Sequence, residues 1–147
     1  MFLSQNHPYL KIINSKNVCA FFITKDEDSR KDIVKYFVQS REYYISDKFD
    51  NFTAAEKYLI DLLEKLEIAK DFKRLDLRQF NVVKTRFRRM YYINISTCLK
   101  EIIYNEQEYC IVFKYITGDE MLIGLDFKIE WQIPMFLEHI RTEFCCF

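Results

Sequence analysis

Glycine and proline are scarce, with two of each in 147 residues. That excludes a glycine-rich phosphate loop and leaves little material for long irregular loops, so Asn, Asp and Ser must make most turns. Histidine is equally scarce, at His7 and His139. No CxxC-like spacing offers a thiolate metal site, and no EF-hand pattern is present. The longest strongly apolar run, Val18 to Ile23, falls far short of the ~20 residues that span a bilayer. Met1-Phe2-Leu3 is followed at once by Ser4, Gln5, Asn6 and His7, which is not the form of a signal peptide. Neither charge predominates, because 22 basic and 22 acidic residues cancel. The field of the whole chain therefore selects no partner by sign.

Cysteine is present in an odd number: Cys19, Cys98, Cys110, Cys145 and Cys146. Three of them sit inside apolar runs, where a free thiol behaves as a small hydrophobe. A bridge between the neighbours Cys145 and Cys146 would be strained. All five read as thiols, and the expected location is the cytoplasm.

What remains can build a core. Half of the residues are hydrophobic and 17% are aromatic. A single α+β domain over 1–147 is expected, burying about 68–70% of the surface of its unfolded chain without disulfide, metal or cofactor.

The most informative stretch is 108–129. Glu108 to Thr117 and Met121 to Ile129 are rich in β-branched and aromatic residues and flank Gly118-Asp119. A two-residue type II′ turn predicts a hairpin with Thr117 opposite Glu120. In that register Cys110, Val112, Ile116, Met121, Ile123, Leu125 and Phe127 form the core face. Tyr109, Ile111, Phe113 and Tyr115 then share the other face with Leu122, Gly124, Asp126 and Lys128. That second face is either covered by a helix or open as a binding surface.

Residues 9–13 and 18–24 read as short strands. A helix is expected from Thr24 or Asp26 to about residue 39, with Ile33, Val34 and Phe37 on one face and Asp26, Glu27 and Asp28 in its first turn. Tyr43-Tyr44-Ile45 reads as a strand. Thr53 and Glu56 form a capping box for a helix to about Lys70, striped by Leu59, Leu62, Leu63, Leu66 and Ala69. Residues 80–92 fit helix or strand equally. Tyr91–Ser96 and Leu99–Tyr104 read as strands. A last helix starts near Pro134, lined by Ile133, Leu137, Ile140 and Phe144. The expected fold is an antiparallel sheet, a meander in the second half, packed by about three helices.

Charge is segregated along the chain. Residues 70–89 hold eight basic side chains against Asp71 and Asp76, a net of +6, so the remainder carries −6. In the strand reading Lys84, Arg86 and Arg88 share a face, Arg89 follows, and Tyr91 and Tyr92 stand ready to stack on bases. This segment suits a protein partner or nucleic acid. His139 with Cys145 and Cys146 is the nearest approach to a nucleophile pair. Asp126-Phe127-Lys128 is similar to the acid-x-lysine element of metal-dependent nucleases with the restriction-endonuclease fold. The family's upstream acid is not recognisable, and the resemblance covers three residues.

A small, neutral, charge-segregated domain with an aromatic face and no assembled catalytic constellation resembles a bacterial immunity protein in general character. The resemblance implies a cytoplasmic, non-enzymatic protein that neutralises a cognate toxin by stoichiometric binding. The expected partner-binding residues are Arg86, Arg88, Arg89, Tyr109, Phe113, Tyr115, Asp126 and Lys128. The alternatives are an RNA- or DNA-binding accessory protein using 70–89 and a divergent nuclease using Asp126 and Lys128.

Overall fold

The computed structural model describes residues 2–4, 12–14, 18–28, 33–40, 43–80, 82, 88–96, 99–126 and 128–145. Ten strands and two helices are found among them, in the order β1 (Phe2–Ser4), β2 (Ile12–Asn14), β3 (Ala20–Asp28), β4 (Ile33–Ser40), β5 (Tyr43–Tyr44), α1 (Phe52–Lys65), β6 (Phe72–Asp76), β7 (Arg88–Asn94), β8 (Leu99–Asn105), β9 (Cys110–Tyr115), β10 (Glu120–Gly124) and α2 (Gln132–Phe144). The fold is α+β with antiparallel sheets. A central five-stranded sheet has the order β5-β4-β3-β7-β6, a second sheet is the meander β10-β9-β8, and β1 pairs with β2.

The central sheet is buried on both faces, and its alternating side chains show why. Ala20 and Phe22 of β3, Tyr91 and Ile93 of β7 and Leu75 of β6 enter one core with Ile111, Phe113, Tyr115 and Ile123 of the meander and Phe136 and Ile140 of α2. Phe21 and Ile23, Met90 and Tyr92, and Phe72 enter the other core with Ala55, Leu59 and Leu63 of α1. A strand covered on two sides needs apolar residues at consecutive positions. The runs Phe21-Phe22-Ile23 and Met90-Tyr91-Tyr92-Ile93 supply them.

Two helices replace the expected three. The segment read as a helix from Thr24 or Asp26 to residue 39 instead forms β3 and β4, paired from Phe22↔Gln39 to Asp28↔Ile33. Ile33-Val34-Lys35-Tyr36-Phe37-Val38 is dense in β-branched and aromatic residues, which lose side-chain freedom in a helix and pack well on a pleated surface. The acids taken for a helix first turn lie along β3, and Asp26 meets Lys48 across the surface. Several polar side chains in this sheet are paired. Thr24 Oγ1 donates to Gln39 Oε1 at 2.9 Å, Ser40 Oγ to the Ala20 carbonyl at 2.9 Å, and Asn94 Nδ2 to the Val18 carbonyl at 3.1 Å.

The expected helix 53–70 is present as α1, but its cap is Asn51, whose Oδ1 accepts from the Ala54 amide at 2.8 Å. Asn51 outcompetes the Thr53 box because it lies one residue before the first helical turn in extended conformation, where its oxygen reaches an orphan N–H. The helix ends at Lys65 rather than near Lys70. Glu67 takes the left-handed conformation at φ 60°. The Glu67 and Ile68 amides then donate to the Glu64 and Leu63 carbonyls at 3.0 Å each, closing a Schellman motif.

The 108–129 hairpin forms with a different register. Glu120 pairs with Lys114, Met121 with Phe113 and Gly124 with Cys110, three positions from the expected pairing of Thr117 with Glu120. An odd shift exchanges the faces of one strand relative to the other. Ile111, Phe113 and Tyr115 therefore join Met121 and Ile123 against the core, while Cys110, Val112 and Lys114 share the opposite face with Glu120 and Leu122. The turn explains the shift. The Gly118 amide donates to Tyr115 O at 3.0 Å, the Tyr115 amide donates to Asp119 O at 2.9 Å, and Gly118 has φ +92°. This is a three-residue loop whose last member is left-handed, not a two-residue turn.

A Cβ on Gly118 would meet nothing within 4 Å, so the cost of a side chain there is conformational. Gly118→Val should destabilise the protein by about 1–3 kcal/mol, read as a lower urea midpoint at unchanged slope. An unchanged midpoint would remove the left-handed turn.

Candidate functional site

The basic segment is largely neutralised where it is described. Arg74 on β6 grips Glu56 of α1 with two prongs, Nη2 to Oε1 at 3.2 Å and Nε to Oε2 at 3.3 Å. Arg78 holds Asp76 through its backbone amide and Nε to Oδ1 at 3.0 Å each, and through Nη2 to Oδ2 at 2.8 Å. Its guanidinium also lies 4.4 Å from the centre of the Phe52 ring. Burial pushes the Asp76 carboxyl up, but the Arg78 hydrogen bonds and charge, with Arg74 behind them, outweigh it and hold the group below its ordinary value. Lys73 reaches Glu143 of α2 at 3.3 Å. Arg88 covers Phe22, 4.4 Å from the ring centre, and Arg89 is half-buried. Lys84 and Arg86 lie outside the described residues. The strand reading of 80–92 holds from Arg88 onward.

Tyr91 and Tyr92, offered as base-stacking rings, are core residues. Tyr92 packs beneath the Glu56–Arg74 pair. Its hydroxyl feels both charges yet makes no well-formed hydrogen bond with either. Burial, followed by the negative charge of Glu56, raises this phenol to about 12.

The hairpin aromatics divide. Phe113 is fully buried, its ring centre 5.6 Å from that of Phe144 on α2. Tyr115 is buried, and its hydroxyl donates to the Cys19 carbonyl at 2.9 Å, tying the meander to the start of the central sheet. Both are structural. Of the two readings of this face, the helix-covered one describes it. Tyr109 is different. It is exposed, left-handed at φ 51°, and its carbonyl accepts from the Leu125 amide at 2.7 Å.

That bond brings Tyr109 to the segment holding Asp126 and Lys128. The acid-x-lysine strand is not formed. Asp126 and Lys128 follow β10 in a turn, where Asp126 Oδ1 accepts from the Lys128 backbone amide at 3.0 Å. The turn leads directly into α2, with Gln132 Nε2 reaching back to the Asp126 carbonyl at 3.4 Å. Among the described residues no group of three His, Cys, Asp or Glu is placed to hold a metal. His139 is half-buried rather than catalytic in setting, its Nε2 3.1 Å from the Asp76 carbonyl and its ring 5.5 Å from Phe80. Cys145 is exposed at the end of α2, and Cys146 lies outside the described residues.

The β8–β9 turn and the start of α2 thus form one end of the molecule. Trp131, the only tryptophan of the chain, is 70% exposed there, and Met135, one turn along α2, is 58% exposed. Gln132, Phe136 and Ile140 bury the opposite side of the helix. The expected lining residues Ile133, Leu137 and Phe144 pack at the core margin. Trp131 and Met135 lie off that apolar stripe, so helical periodicity does not mark them. The available signal was a lone tryptophan three residues before Pro134 and off the stripe. Of the expected partner-binding residues, the structure gathers Tyr109, Asp126 and Lys128 at this end. It places Phe113 and Tyr115 in the core, and Arg88 and Arg89 on β7.

Comparison with protein-family models, with curated proteins and with solved structures gave no match. Among the described residues no helix is long and apolar enough to cross a membrane.

The setting of Tyr92 makes a pH prediction. The folded state keeps this proton to about 12, whereas an unfolded tyrosine loses it near 10. The neutral phenol therefore contributes stability that is intact below about pH 10 and is lost as pH rises toward 12. Spectrophotometric titration should show a late phenol that disappears in Tyr92→Phe and titrates earlier in Glu56→Gln. A Tyr92 that ionises with the exposed tyrosines would contradict the buried pairing.

Proposed function

We propose that this chain is a non-catalytic protein-binding module that docks through the end bearing Tyr109, Trp131 and Met135. The observation that carries the reading is the exposure of Trp131 and Met135 on a helix whose other face is fully used. Tryptophan is enriched at interface hot spots, and methionine is enriched at interfaces over the rest of the surface. Tyr109 adds a second ring, and its left-handed backbone is the kind of strain that accumulates at functional positions.

The general character of the chain favours an immunity-type role, in which a cognate toxin is neutralised by one-to-one binding in the bacterial cytoplasm. The basic segment is the weaker candidate. Arg74, Arg78 and Arg88 are occupied by Glu56, Asp76 and the Phe22 ring, which leaves them little freedom to grip phosphate. A nuclease reading loses its strand-borne acid and lysine, since Asp126 spends its carboxylate on its own turn.

Affinity purification of the full chain from its native host should recover a polypeptide in equimolar amount. Trp131→Ala should weaken that complex by about thirtyfold, the loss of ~2 kcal/mol expected of a hot spot, while the fold is retained. Wild-type affinity in Trp131→Ala and Met135→Ala would remove this surface. Metal-dependent cleavage of nucleic acid that needs Asp126 and Lys128 would overturn the non-enzymatic reading.

The cytoplasmic assignment has its own check. Cys145 should react with a thiol reagent in the native protein, and Cys110, fully buried, only after unfolding. All five cysteines should react in denaturant without prior reduction, and fewer than five would argue against a reducing compartment.

A further inference from the structure

The end that exposes Trp131 also carries acidic side chains that no basic residue pairs among the described residues. Glu106 and Glu108 lie in the β8–β9 turn, with Asn105 Oδ1 accepting from the Gln107 and Glu108 amides at 3.1 and 3.2 Å. Asp126 and Glu130 lie in the turn before α2, and the Tyr109–Leu125 hydrogen bond joins the two turns. Four carboxylates stand there against the single ammonium of Lys128. Glu106, Glu108 and Glu130 are exposed and have no ion-pair partner among the described residues. Glu56, Asp76 and Glu143 around β6, by comparison, each hold an arginine or lysine. The Tyr104 phenol is raised by burial first and then by the nearby Tyr109 and Glu106.

Resting on the docking reading above, we propose that the partner presents a basic surface to this end: arginine and lysine side chains around an apolar recess that takes Trp131. The apolar residues supply the anchor and the acids select the sign of what surrounds it. Opposite potentials speed encounter, and a like-charged partner is rejected. A protein surface of this composition is the kind that otherwise contacts nucleic-acid phosphates. The carboxylates would occupy the arginines that such a protein needs for its own substrate.

The sole tryptophan makes the test direct. Three synthetic amphipathic helical peptides serve as probes: one with leucine and arginine faces, one with glutamine in place of arginine and one with glutamate. Each is titrated into the full chain while Trp131 emission is followed. The arginine peptide should shift the emission saturably and at least tenfold more tightly than the glutamine peptide, and the glutamate peptide should not bind. Raising salt to ~0.5 M should erase most of the difference. The triple variant E106Q/E108Q/E130Q, all at exposed positions and checked by circular dichroism for an intact fold, should bind the arginine and glutamine peptides alike. Equal binding of those two peptides by the wild-type chain would overturn the basic-partner inference and leave the docking reading standing. A preference for the glutamate peptide would also overturn the inference. No response of Trp131 to any of the three would sink both.

Discussion

Two-sided burial of the β3–β7 pair is the constraint on which the molecule depends. Ala20, Phe21 and Phe22 face Ile93, Tyr92 and Tyr91 in register, and each successive side chain enters the opposite core. One core needs α1 as its cover and the other needs the meander with α2. Neither cover is optional, because exposing either face would return several large apolar side chains to water. Each is worth about 1.5–3 kcal/mol of burial. The polar groups at the margins follow the same demand. Asn94 donates to Val18, its own amide donates to Cys19, and Tyr115 donates to Cys19 as well, so the chain entering β3 is pinned by its partner strand β7 and by the meander.

With the sheet fixed, the charges sort into two kinds. Around β6 the acids of α1 and the strand itself neutralise Arg74 and Arg78, and the aromatic rings of Phe52 and Phe22 take up guanidinium faces. Exposed ion pairs of this sort add little stability one by one. Their effect is to quiet a segment that looks strongly basic in one dimension. For Glu106, Glu108 and Glu130 no basic residue among the described ones plays the corresponding part.

The sequence carried the architecture in coarse form and lost it in the details that depend on partners. The α+β class, the meander, α1 and α2 were legible because Leu59 and Leu63, Ile133, Leu137 and Ile140, and the β-branched runs have periods that suit one element type. Residues 24–39 were not, since Asp26, Glu27 and Asp28 imitate a helix start and only pairing between β3 and β4 reveals the strands. The hairpin register failed on one turn residue. Gly118 tolerates positive φ in either turn type, and the choice between them reversed the faces that decide whether Phe113 and Tyr115 are buried. The candidate end was half legible. Tyr109, Asp126 and Lys128 were marked, but as parts of a strand face rather than of two turns. Trp131 was legible only as a lone tryptophan off the apolar stripe, and the nearness of the two acidic turns comes from a hydrogen bond between segments about sixteen residues apart.

The order of strands in the central sheet has a consequence for how the chain is made. β3 pairs with β4, its neighbour in sequence, and with β7, which follows about seventy residues later. During synthesis β3, β4 and α1 emerge with one edge and one face of the future sheet uncovered; Arg88–Asn94 closes the edge when it leaves the ribosome, and the face waits for the meander and α2. Long-range pairing of this kind is slow, and an open apolar strand edge invites association with other nascent chains. The chain is thus most vulnerable between the appearance of Phe22 and that of Tyr91. A translational pause placed in that interval would lengthen the exposure, whereas one placed after Asn94 would give the central sheet time to close.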